Sequence, residues 1–232
     1  MRPEPVARDQ ALPLVFVFLM FFGVMVGGQG LMTSTIEEKS SRVVEVLLSA
    51  VSPLELMAGK ILGQLAVSAV TLALYIGLGV LILSSMTMMG LIQPILVVYL
   101  LIFFAVTYVT LGALMAAIGA AVNEMREAQS LMMPITLLIM IPWLFAAPIA
   151  RNPSSTFATV LSFIPPINTF TMLIRITSTS PPPAWQIALT VGLSLVAAAG
   201  ALWIAAKIFK VGLLMFGKPP DFATLVRWVR MA

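Results

Sequence analysis

The chain has 232 residues, of which 60% are hydrophobic and only 9% charged, with a formal net charge of +4, no histidine and no cysteine. So few charges cannot coat a water-soluble domain, and the composition marks an integral membrane protein. Unbroken apolar runs also exclude a transmembrane barrel, whose strands show weak alternating segments of about ten residues.

Residues 12–34 form the first hydrophobic run. It is too long and too bulky for a signal-peptide core, and no A-x-A cleavage site follows it. Next comes IEEKSSRVVEVLLSAVSPLELMAGK, residues 36–60, which holds four of the nine carboxylates and three of the thirteen basic residues. On a helical wheel Val43, Val44, Leu47, Leu48, Val51 and Leu54 form an apolar stripe, with Glu38, Lys39, Arg42, Glu45 and Ser49 opposite. An interfacial helix favours an excess of Lys and Arg, whereas three acids and two bases alternate in EEKSSRVVE. That mixture suits the groove of a protein partner better.

Pro53 cannot sit inside a helix, so the 35–59 loop divides into two helices. Ser52 and Glu55 have the spacing of a capping box at the start of the second. Ser34 and Glu37 offer a similar box for the first, which could equally continue from the first span.

The second run covers 60–85. An uncharged hairpin at 84–94 leads to the third, 92–122, and the turn NEMRE at 123–127, with Asn123 as a plausible cap, leads to the fourth, 128–149. Residues 150–183 are too apolar for a solvated loop and too broken by proline for a full span. They fit short helices dipping into the outer leaflet, with irregular backbone covered by protein. The fifth run is 184–209, and Phe222, Leu225, Val226 and Val229 then mark an interfacial helix. The expected fold is all-α, a single-domain polytopic bundle over 1–232 with about five spans.

With the C-terminus inside, Lys39, Arg42, Lys60, Arg126, Lys207, Lys210, Lys218, Arg227 and Arg230 fall on the inner face. Arg2, Arg8, Arg151 and Arg175 fall outside, an imbalance that favours this orientation. No titratable residue lies deep in the five runs, and there is no zinc motif, phosphate loop or Gly-x-Ser-x-Gly, so the chain does not read as an enzyme. A proton- or ion-coupled carrier is disfavoured for the same reason, which leaves energy to a separate partner.

Among the few polar residues within spans, Gln29, Gln64, Thr107 and Thr110 are the candidates for a translocation path. Interhelical hydrogen bonding is the competing role. Gly59 with Gly63, Gly112 with Ala116, and Ala197 to Ala201 suggest close helix packing. Few oxygen ligands within the spans argue against a dehydrated sodium site and favour a hydrophobic or amphipathic substrate.

IEEKSSRVVEVLLSAVSPLELMAGKILG, NEMREAQSLMMPI and FIPPINTFTMLIRI together resemble the permease subunit of ABC-2 type exporters, in the branch of sodium-extrusion and multidrug permeases. The resemblance implies that Glu37, Glu38, Lys39, Arg42, Glu45, Val46, Leu47 and Leu48 form a coupling helix that docks on a cytoplasmic ABC ATPase subunit. It also places Asn123, Glu124, Arg126 and Glu127 in a second inner turn near that subunit. ATP and Mg would then sit on the partner, with no cofactor and no metal in this chain. A second permease copy or homologue and the lipid bilayer are the other implied partners, nucleic acid is not, and the location is a bacterial or archaeal inner membrane.

Members of this branch usually carry a further first span and an external domain. The exposed N-terminus inferred here therefore points to the later part of a longer permease, or to a start assigned late, against a short tail translocated by its own helix. The readings from other classes are a non-transporting membrane anchor or assembly factor that recruits a soluble partner through the same helix, and a channel.

Overall fold

A computed structural model describes residues 11–41, 46, 49–85, 93–178, 180–212 and 224. Among them there is no strand, and five helical stretches of 27 to 30 residues are long and apolar enough to cross a membrane. The helices are α1 (Leu12–Ser40), α2 (Pro53–Ser85), α3 (Pro94–Ala121), α4 (Met125–Leu144), α5 (Ala146–Arg151), α6 (Thr156–Leu161), α7 (Asn168–Thr177) and α8 (Ala184–Gly212).

Local sequence explains the helix ends. Proline near the start of α1 and of α3 costs nothing, because the first amides of a helix have no intrahelical acceptor. Ser52 and Glu55 close the expected capping box before α2. The Ser52 amide donates to Glu55 Oε2 at 2.8 Å and the Glu55 amide donates to Ser52 Oγ at 3.3 Å. Ser34 makes no such box: its hydroxyl donates to Leu31 O within α1. With no proline between 14 and 41 to stop it, α1 runs on to Ser40. Residues 36–40 thus extend the first span instead of opening a separate helix. Arg42 to Glu45, Leu47 and Leu48 lie outside the described residues, as does the expected C-terminal helix apart from Thr224.

The centre of the bundle is α3, which packs most extensively on α1 and α8. Close approach depends on glycine. A Cβ on Gly119 of α3 would meet Met32 O of α1 at 2.6 Å, and one on Gly212 of α8 would meet Ala120 O of α3 at 2.7 Å. Gly23, Gly27 and Gly28 give α1 a face that accepts Phe104, Tyr108 and Met115 of α3. Without a hydrophobic force between helices in lipid, such backbone proximity is what holds spans together. The expected Gly59–Gly63 contact is absent, because a Cβ at either position has nothing within 4 Å. Both lie on the exposed side of α2, whose most apolar stretch is only 11% buried.

Pro134 and Pro142 lie inside α4, and the helix stops at Leu144 before resuming as α5. The segment beyond it forms the short helices α6 and α7, as its prolines suggest. All ten residues of α7 are buried. They are locked by a polar cluster in which the Thr107 hydroxyl donates to Thr169 Oγ1 at 2.7 Å and Asn168 Nδ2 donates to Ser194 Oγ at 2.8 Å.

Candidate functional site

Apart from Arg151 and Arg175, the charged side chains of the described residues collect at the end of the bundle formed by the last turns of α1, the start of α2, the α3–α4 turn and the end of α8. Here α1 and α2 are joined by an ion pair, with Lys60 Nζ 2.8 Å from Glu38 Oε2 and 3.1 Å from Thr35 Oγ1. Glu37 is exposed on the same turn.

Lys39 points the other way. It is 4% exposed, and its ammonium donates to Ala120 O at 3.0 Å and to Val122 O at 3.3 Å. The last carbonyls of a helix have no intrahelical donor and carry the negative end of its dipole, so a lysine is a fitting cap for α3. The sequence pattern groups Lys39 with the outward residues of a docking helix, whereas the structure encloses it.

The turn between α3 and α4 is as tight as expected but is capped differently. Glu124, not Asn123, is the N-cap of α4, and it uses its backbone carbonyl without a side-chain cap bond. Instead the Asn123 amide donates to Glu127 Oε2 at 3.1 Å, which satisfies a donor at the positive end of α4. Glu124 and Arg126 are exposed. Val46, on the segment between α1 and α2, is an apolar side chain 72% exposed.

The four path candidates do not come together. Gln29 is exposed and lines a cleft of about 360 Å³ between α1 and α4. Gln129, Thr136 and the methionines at 32, 125, 132 and 133 line it as well. Gln64 lies beside Gly30 across the α1–α2 contact. Thr107 and Thr110 are buried, one bonded to Thr169 and the other to Val106 O at 2.9 Å, so both serve packing.

Arg175, which sequence reasoning counts among the basic residues on the outer side of the membrane, is 2% exposed. Its Nε donates to Pro153 O at 2.7 Å, Nη1 to Ser162 Oγ at 3.0 Å and Nη2 to Gln186 Oε1 at 2.7 Å. Burial lowers its pKa from the ordinary arginine value, yet a guanidinium stays charged. Three charge-assisted bonds therefore tie α7 to the turn before α6, to the end of α6 and to α8. Among the described residues no cluster of three or more carboxylates could hold a metal ion.

Comparison with known proteins matches the sequence to a family of transporter proteins. The model of the ABC-2 family transporter protein covers residues 3–207. An uncharacterised protein, YhaP, of Bacillus subtilis (strain 168) is 29% identical over 241 aligned residues, which cover 99% of this chain and 57% of the relative. A second uncharacterised protein, MJ1024 of Methanocaldococcus jannaschii, is 28% identical over 208 residues, or 90% of this chain and 51% of that one. The chain thus spans about half the length of these curated relatives. No solved structure matches significantly. With a family match over nearly its whole length and five helices long and apolar enough to cross a bilayer, the chain belongs to the ABC-2 family of transporter proteins and is a multi-pass membrane protein.

Proposed function

We propose that this chain is the membrane-spanning subunit of an ATP-driven exporter, coupled through residues 36–51 to a separate subunit that binds ATP and Mg. The observation that carries the reading is Val46. An apolar side chain 72% exposed, in a segment that begins and ends among charges, suits a partner's groove better than water. Glu37, Glu124 and Arg126 are exposed at the same end of the bundle and supply a mixed-charge rim. A second permease copy or homologue would complete the path.

The α1–α4 cleft supports a substrate class. Its Gln29, Gln129 and Thr136 offer neutral hydrogen-bonding groups, and its methionines form an adaptable apolar wall. That chemistry fits a neutral, amphipathic molecule taken from the bilayer. Inverted vesicles carrying this chain and its ATPase should therefore accumulate a neutral amphipathic dye only when ATP is hydrolysed. Accumulation without ATP, or ATP-driven sodium uptake with no effect on the dye, would contradict the proposal.

A further inference from the structure

Residues 36–41 end α1, which with α2 is one of the two helices through which load on the segment between them enters the bundle. Among the described residues, two side chains of that last turn, Glu38 and Lys39, make polar contacts to other helices. The Glu38–Lys60 pair leads sideways to α2, the least buried span. Lys39 leads inward to Ala120 and Val122 at the end of α3, the helix on which α1 and α8 both pack.

The geometry points to Lys39 as the residue that transmits displacement of the coupling segment into α3; it acts as a positioning strut, and not as part of the docking surface. This rests on the ATPase-coupling reading above and adds to it the route by which the force travels. Three features support a stiff connection. At 4% exposure the ammonium has exchanged water for carbonyl partners, and leaving those partners without replacement would be costly. Gly119, one residue before the first of these acceptors, sits against Met32 O of α1, so the two helices cannot slide freely past one another. Gly212 of α8 rests on the same Ala120 carbonyl that Lys39 engages. A push on Lys39 is therefore felt at one point by α1, α3 and α8. α4 follows this unit at the tight turn after Val122, and farther along its length a cleft opens between it and α1, so the cleft is the seam that changes shape when the unit moves.

The test uses the full chain co-purified with its ATPase subunit. It compares wild type, Lys39→Gln, Lys39→Met and Lys39→Arg in two readouts: the amount of ATPase retained, and the stimulation of ATP hydrolysis by the permease. Expected are unchanged retention in all four, loss of stimulation by about fivefold or more in the Gln and Met variants, and recovery in the Arg variant, which keeps charge and donors. Full stimulation in Lys39→Gln would overturn the proposal. Loss of ATPase retention in a folded Lys39→Gln chain would also overturn it, by making Lys39 a docking residue. Failure of the wild type to retain any ATPase would instead remove the coupling reading on which the proposal rests.

Should the variants fail to fold, hydrogen exchange on the wild-type complex decides. Trapping the ATPase with ATP and vanadate should change protection at residues 36–41 and 119–122 together. A change confined to 36–41 would overturn the proposal.

Discussion

The carboxylate of Glu38 and the ammonium of Lys60 meet at 2.8 Å and close the ring that α1, the 41–52 segment and α2 form. Both side chains are partly exposed, so solvent screens the attraction. A double-mutant cycle with Glu38→Gln and Lys60→Gln should give a coupling of about 0.5 kcal/mol, read from unfolding in detergent. A charge-swapped chain, Glu38→Lys with Lys60→Glu, should recover most of the loss.

Glycine contacts predict an asymmetry between α3 and α2. Gly119→Ala places a methyl group against a backbone carbonyl that cannot rotate away, and it should cost about 1–3 kcal/mol. Gly63→Ala meets open space and should change stability by no more than about 0.5 kcal/mol. Thermal unfolding of the two variants side by side checks both.

For the capping box, Ser52→Ala should weaken the first turn of α2 by about 1 kcal/mol. The loss is local, so it should appear as faster hydrogen exchange at residues 53–56, with little change in the global melting point.

Five helices long enough to span and the short helices between the last two of them are legible in the sequence because hydropathy and proline placement act locally. The capping box before α2 is legible for the same reason: its two partners are three residues apart. Lys39 is not, since its partners at Ala120 and Val122 are more than eighty residues away and its direction depends on the register that Gly119 and Met32 set between α1 and α3. Arg175 escapes notice because a count of basic residues by side cannot distinguish a solvated arginine from one enclosed by carbonyl, hydroxyl and amide groups. The Gly23, Gly27 and Gly28 face has a visible signal in GVMVGGQG, yet nothing in the sequence ranks it above the exposed Gly59 and Gly63.

Arg175 supplies a further prediction. Gln186→Leu leaves one guanidinium N–H without its acceptor and should cost about 1–3 kcal/mol. Arg175→Lys removes the planar fork that reaches three acceptors at once and should cost at least as much. In both variants the 152–183 segment should become more susceptible to protease added from its own side of the membrane.

The account turns on docking through the segment between α1 and α2. Co-expression of the chain with the ATPase subunit encoded beside it, followed by co-purification, tests this most directly, with Val46→Asp as the comparison. A complex that forms with wild type and weakens by about tenfold or more in the folded Val46→Asp chain is the predicted result. Equal retention of the ATPase by both chains, or by neither, would contradict it.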